Sequence, residues 1–300
     1  MILRYMKRFI KRIIPDFLLK HIKNIFWPPS PEYKWAKHTR KVLSEKIKKE
    51  ITITTTGDIY LKSDFGFDFL ADRDERHLKI DTFDDLKFKY LLEYLSKKLP
   101  AEAVFLDIGA FMGGYSLAIA GYFPRSKIYS FEPVTSSILN FRKNIIRNRL
   151  GNIIFPFQFA ITDKAGKVIM TSKQTTGNHI LSANEKNSDT EEIPAIDLDS
   201  FLKQRQIGKV HLIKCDVEGH EKAVINGGME LFLKHKPILY IEIVNEWTKR
   251  YGNSPEEIIN KITGLGYRGY EVTENSINEI TDFDNTIGRC ENFLFIANEV

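Results

Sequence analysis

Between residues 104 and 243 the apolar positions fall into short runs separated by segments of helical spacing. Val104–Ile108, Lys127–Phe131, 153–159, 210–216 and 238–243 read as strands, and 114–121, 135–148, 197–205 and 221–234 as helices. Strands separated by helices make βαβ units, and so a mostly parallel sheet with helices on both faces. Leu86, Tyr90, Leu91, Tyr94 and Leu95 predict a further helix over 84–98. Residues 51–69 alternate loosely around Gly57 and Gly66, which fits two or three short antiparallel strands. A polar stretch over 162–195 interrupts the pattern, with one strand expected at 167–171. After a helix over 255–263, the strands 267–273 and Asn292–Ala297 are joined by a polar loop without a helix, the mark of an antiparallel C-terminal hairpin at the sheet edge. The fold class is therefore α/β. There is no internal repeat.

The first thirty residues follow another pattern. Ile2, Leu3, Met6, Phe9, Ile10, Ile13 and Ile14 form a helical stripe, with Arg4, Lys7, Arg8, Lys11 and Arg12 opposite. Pro15 ends this helix and suits the first turn of a second, over 16–27, which closes at Trp27-Pro28-Pro29-Ser30-Pro31. A second basic run, 34–49, reads as a solvated helix. The chain thus divides into an amphipathic arm and linker (1–31), a helix with short strands (32–84) and an α/β domain (85–300).

Charge follows the same division. The whole chain carries +5, but residues 1–50 hold 14 Lys/Arg against 4 Asp/Glu, a net +10, and the remainder carries −5. The total alone would suggest nucleic acid, yet no nucleic-acid-binding motif accompanies the arm. A basic helix with Ile, Phe and Trp on its other face suits a membrane surface, where anionic lipid contributes about 1 kcal/mol per Lys or Arg. The bland alternative is a helix packed on the globule with its charges in water. No apolar run approaches the roughly 18 residues that span a bilayer, and Phe17-Leu18-Leu19 is too short for the core of a signal peptide, about 7–15 residues. Two cysteines exclude a disulfide framework and a four-thiolate zinc site. The expectation is a cytoplasmic protein, peripheral on an inner membrane through residues 1–27.

The chemistry gathers at the carboxyl ends of the strands. Val104–Ile108 runs into Gly109-Ala110-Phe111-Met112-Gly113-Gly114 and then a helix, a turn that offers backbone N–H groups to a ligand. A dinucleotide fingerprint needs glycine at its third position, where Phe111 stands, so pyrophosphate is disfavoured. Glu132 ends the second strand, 23 residues after Gly109, where an acid accepts ribose hydroxyls, and Asp107 is a second acid at this edge. A ribose-bearing cation without phosphate suits two acids, and S-adenosylmethionine is such a molecule.

Leu106-Asp107-Ile108-Gly109-Ala110, Gly113-Gly114-Tyr115-Ser116 and Ser130-Phe131-Glu132-Pro133 resemble the FkbM family of S-adenosylmethionine-dependent methyltransferases. The blocks from Ala160 to Gly166 and from Leu212 to Glu221 agree, and Lys214-Cys215-Asp216-Val217-Glu218-Gly219-His220-Glu221 is the family-specific one. The resemblance covers about 85–298. It implies a seven-stranded sheet whose last strand is reversed, with Asp107, Gly109, Gly113 and Ser116 at the methionine and ribose end of the cofactor. It also implies Glu132 on the ribose, and Ala160 and Asp163 near the adenine. The family usually has Asn where this chain has Phe111.

Methyl transfer to a hydroxyl needs alignment and a base for the proton. Asp216, Glu218 and His220 follow the fourth strand, with Lys214 on it and Glu242 at the end of the next. His220 or Asp216 serves as the base, while Glu218 and Glu221 also suit the first turn of a helix. A divalent metal on the same oxygens is a less favoured reading, and no metal ligands are assigned. The expected activity is O-methylation of a sugar or glycan precursor, in some cases lipid-linked, in bacterial polysaccharide or natural-product biosynthesis. The alternatives are a nicotinamide oxidoreductase and a membrane-recruited module that binds S-adenosylmethionine without turnover.

Overall fold

The computed structural model describes residues 50–54, 58–71, 85–172, 177–182, 185–186 and 189–298. The amphipathic arm and the helix expected over 34–49 lie outside the described residues. The chain forms two compact units, Met1–Lys62 with Leu70–Thr82, and Ser63–Phe69 with Phe83–Val300. In the first, β1 (Ile51–Ile53) and β2 (Ile59–Lys62) pair antiparallel with Thr52 opposite Tyr60. From Ser63 the chain turns at Gly66 (φ +88°) into β3 (Asp68–Leu70). Asn148 Oδ1 accepts the Asp68 N–H (2.8 Å) and Arg147 meets the Asp68 carboxylate (2.7 Å).

The large sheet starts with β4 (Val104–Ile108), β5 (Lys127–Phe131) and β6 (Ile154–Phe157). The polar stretch is not a plain excursion. It builds a small sheet in which β7 (Ala160–Ile161) runs parallel to β9 (Thr190–Ile196), and β8 (Gly166–Thr171) runs antiparallel to β9. Then β10 (Leu212–Cys215), β11 (Ile238–Glu242), β12 (Tyr267–Val272), β13 (Ile277–Glu279) and β14 (Asn292–Ala297) complete the large sheet, in the order β13-β12-β14-β11-β10-β4-β5-β6. Its centre is parallel, and the expected antiparallel C-terminal pair stands at one edge, with β14 antiparallel to both β11 and β12. The expected seven strands are present, and β13 adds an eighth at the rim.

Alternation along β4 places the helices. Phe105 packs on Phe123, and Asp107 bonds Ser116, on the side of α1 (Leu86–Leu95) and α2 (Gly114–Tyr122). Leu106 and Ile108 point the other way. They join one apolar core with Phe201, Val224, Phe232 and Ile258, each buried side chain contributing roughly 1.5–3 kcal/mol. After α2 in sequence come α3 (Thr135–Arg147), α4 (Leu198–Arg205), α5 (Glu221–Asn226), α6 (Met229–Lys234), α7 (Asn245–Thr248) and α8 (Pro255–Gly264). Asp85, Asp197 and Ser254 cap α1, α4 and α8 through their side chains. The single helix expected over 221–234 is broken at Gly227-Gly228. A Cβ on Gly227 would stand 2.1 Å from the Thr162 carbonyl oxygen, so the helix yields where two backbones touch. Among the described residues no helix is long and apolar enough to cross a membrane.

Candidate active site

The strand order reverses beside β4, with β5 on one side and β10 on the other, which opens a crevice at the carboxyl ends of these strands. Gly109 (φ +79°) forms its floor, and a Cβ there would lie 1.7 Å from the Asp216 carbonyl oxygen. The turns after β4 and β10 therefore touch, and glycine permits the contact. Gly113 (φ +85°) is required for another reason, since a Cβ would enter the Phe141 ring at 1.9 Å. Phe111 adopts φ +49° and donates its N–H to Glu132 Oε2 (2.7 Å), while the Val134 N–H donates to Glu132 Oε1 (2.8 Å). Glu132 thus pins the end of β5 to the turn. Burial lifts its carboxyl to about 7 against these two backbone hydrogen bonds.

Asp107 lies beneath the turn. Ser116 Oγ donates to its Oδ2 (2.5 Å) and shares a hydrogen bond with Ser130 Oγ (2.7 Å), and Asp107 Oδ1 has no hydrogen-bond partner among the described residues. Burial raises the Asp107 carboxyl to about 6, opposed by the Ser116 hydroxyl and the Lys214 ammonium.

The crevice is a cleft of about 220 Å³. Gly109, Ala110 and Phe111 meet Glu132 and Pro133 on one side, with Phe159, Ala160 and Ile161 beside them. Asp216, Val217 and Glu218 face them, and Gly177, Asn178 and Ile180 reach in from the polar stretch. Of the residues expected at a cofactor, Gly109, Glu132 and Ala160 line this cleft. Asp107, Gly113 and Ser116 support the turn from behind. Asp163 is exposed, and its carboxylate accepts the Thr162 hydroxyl (3.3 Å).

Of the three residues expected to be catalytic, Asp216 and Glu218 line the cleft and His220 does not. Glu218 (φ +56°) and Gly219 (φ +103°) turn the chain away, with Gly219 pressed on the Trp247 carbonyl. His220 Nε2 pairs with Thr162 Oγ1 (3.1 Å), its ring meets Tyr251 edge-on (5.0 Å), and it lines a separate cavity. Burial lowers the His220 pKa, although Asp163 opposes the shift. Glu221 is a loop support whose Oε1 accepts the Gly219 N–H (3.0 Å).

Beneath Asp216 is a charged layer whose extent is not evident from the motif. Lys214 is fully buried, with Nζ 3.4 Å from Asp216 Oδ2, 3.3 Å from Asn292 Oδ1 and 4.6 Å from the centre of the Tyr115 ring. Burial pulls its pKa down, and Asp216 and Glu242 outweigh this and hold it above the usual value. In the sheet register Cys215 pairs with Ile241 and Glu242 with Asn292, which puts Glu242 next to Asp216. Burial first, then Asp216, raises the Glu242 carboxyl to about 9. Burial and Asp216 also lift Glu218 to about 7. Tyr115, which carries no readable signal in sequence, lines the cleft and donates its hydroxyl to Asp85 (3.1 Å). Among the described residues no three His, Cys, Asp or Glu side chains converge as a metal site requires.

An open parallel α/β sheet with a glycine turn, an acid at the tip of the neighbouring strand and further acids across the crevice defines a ligand-binding enzyme of the doubly wound class. The methyltransferase FkbM domain matches residues 107–268, more than half the chain. The chain belongs to that methyltransferase family. It is 22% identical over 202 residues to the hexuronic acid methyltransferase AglP of Haloferax volcanii, spanning 67% of this chain and 77% of that protein. It is 25% identical over 208 residues to the methyltransferase sdnD of Sordaria araneosa, spanning 59% and 77%. The crystal structure of an FkbM methyltransferase from Methylobacillus flagellatus superposes with a TM-score of 0.46 at 17% identity, over 69% of this chain and 47% of that one.

Proposed function

We propose that this methyltransferase takes S-adenosylmethionine as its methyl donor and methylates a hydroxyl group of a sugar or glycan precursor. The observation that carries the reading is the cleft itself, with Glu132 on one wall and Asp216 on the other. The residues fit the donor. Glu132 spends one hydrogen bond per oxygen on backbone N–H groups, and a carboxylate has about four acceptor sites, which leaves capacity for ribose hydroxyls. Pro133, Phe159, Ala160 and Ile161 supply an apolar wall for a purine, and Asp107 sets a buried acid beneath the turn. When bound, the donor supplies a methyl group on a positively charged sulfur.

The remaining chemistry belongs to the chain. Asp216 faces the cleft and accepts the proton of the acceptor hydroxyl as the new bond forms, a contribution of about 10²–10⁴-fold. Lys214 fixes that carboxylate from below, and the Glu242 carboxyl stands beside it. The relative AglP acts, by its name, on a hexuronic acid, which supports a sugar acceptor here. The +10 carried by residues 1–50 suits recruitment to an anionic membrane surface, where lipid-linked sugars are assembled.

Transfer of labelled methyl from S-adenosylmethionine to a panel of glycans tests the reading. Asp216→Asn should retain donor binding and lose about 10²–10⁴-fold in kcat. Unchanged turnover in this variant removes Asp216 as the base, and absence of donor binding by the native chain removes the donor assignment.

A further inference from the structure

The loop that brings Glu218 into the cleft brings His220 into a second cavity of about 630 Å³, and Ile180 lines both. The methyl-transfer chemistry uses nothing in this second cavity. We propose that it binds an anionic group of the acceptor, a carboxylate or a phosphate ester, while the acceptor hydroxyl enters the cleft. This rests on the reading of the cleft as the site of methyl transfer to a sugar.

The walls of the cavity are rich in donors. Lys222 and Arg250 line it with the amides of Asn226 and Asn253, and no Asp or Glu is among its described lining residues. An ammonium has three N–H donors, and Lys222 gives one to Glu257 on α8 (2.7 Å). A guanidinium has five, and Arg250 gives one to the Glu218 carbonyl (3.0 Å) and carries its charge beside the Tyr251 hydroxyl. Both cations keep donors for a ligand, and Arg suits the planar, bidentate recognition of carboxylate or phosphate. The acids around it are Glu257, paired with Lys222, Glu185, paired with the buried His179 (2.9 Å) and also within reach of Arg250's charge, Glu218, which likewise faces Arg250, and Asp163 beside His220. His220 donates or accepts according to its tautomer. The wall is also held in place, because Tyr251 donates its hydroxyl to the Ile180 carbonyl (2.6 Å) and Arg250 is anchored on the backbone of the Glu218 loop. The cavity volume falls within the roughly 300–1,000 Å³ of small-molecule sites, room for a sugar unit.

The test compares methyl glucuronoside, glucose 6-phosphate and methyl glucoside by saturation-transfer NMR and calorimetry. The full chain is used, with and without S-adenosylhomocysteine. One or both acidic sugars should bind at least about tenfold more tightly than the neutral one, and the tighter of the two identifies the anion. Lys222→Gln and Arg250→Gln should each lose that preference several-fold, and Lys222→Gln, which holds no part of the cleft, should do so without changing affinity for S-adenosylhomocysteine. Equal binding of acidic and neutral sugars, no binding of any, or a preference unchanged in both variants overturns the proposal. Loss of S-adenosylhomocysteine binding by the native chain counts instead against the cofactor reading, because the sugar comparison is also made without it.

Discussion

Glu132 both pins the glycine turn and faces the cleft, so under the proposed function its protonation would couple folding to donor binding. Its folded pKa of about 7 lies above the ordinary 4.5, so its contribution to stability declines as pH rises from 4.5 to 7. Ribose hydroxyls donate to the ionised form. Affinity for S-adenosylmethionine should therefore rise through pH 7 and level off above it, with about tenfold weaker binding one unit below the plateau's onset. Calorimetric titration across that range checks this, and in Glu132→Gln the affinity should be lower and its rise with pH smaller, leaving only what Asp107 and Glu218 contribute. Lys214 makes a second prediction. Replacing it by Met keeps the length but strands Asp216 and Asp107 without their buried counter-charge, which should cost about 3–5 kcal/mol in urea unfolding. These residues differ in how well the sequence shows them. Gly109 and Glu132 are legible because a turn and a strand tip dictate their types. His220 is misleading, since its direction depends on Glu218 at φ +56°, a non-glycine residue in a conformation that its own identity does not announce.

At the level of elements, the helices and central strands are legible from periodicity, because apolar alternation follows directly from burial of one face. β9 is obscured by its sequence Thr-Glu-Glu-Ile-Pro-Ala-Ile, in which Pro194 and two glutamates hide an alternation that buries Ile193 and Ala195. The break between α5 and α6 is equally hidden, since it comes from a neighbouring backbone and not from local propensity. The two glycines there should separate experimentally. Gly227→Ala drives a Cβ to 2.1 Å from the Thr162 carbonyl oxygen, which must move, whereas Gly228→Ala meets the flexible Leu198 and Phe232 side chains at 3.1 Å and beyond. Gly227→Ala should therefore lose about 1–3 kcal/mol in thermal unfolding, and Gly228→Ala distinctly less. Equal losses would mean that helix propensity, rather than the contact with Thr162, decides the break.

For the chain as a whole, composition gives +5 and its distribution gives an argument. The net +10 of residues 1–50 stands against −5 in the rest, and that acidic remainder contains Glu132, Asp216 and Glu218 on the walls of a cleft suited to a cationic donor, with Asp107 beneath it. Attraction of the basic segment to anionic lipid is screened by salt over about 10 Å at 0.1 M, so the effect of ionic strength separates it from burial of an apolar stripe. The full chain should co-sediment with phosphatidylglycerol-containing vesicles at low salt, bind weakly to neutral phosphatidylcholine vesicles, and be partly released at high salt. A chain lacking residues 1–31, which removes the apolar stripe and half of the 14 Lys/Arg, should co-sediment distinctly less with the anionic vesicles while binding S-adenosylmethionine normally. If the full chain stays in the supernatant at low salt, the arm does not recruit the enzyme to membranes, and the alternative of an arm packed on protein takes its place. The proposal of methyl transfer in the cleft does not depend on either result, because every residue assigned to it lies between Asp107 and Glu242.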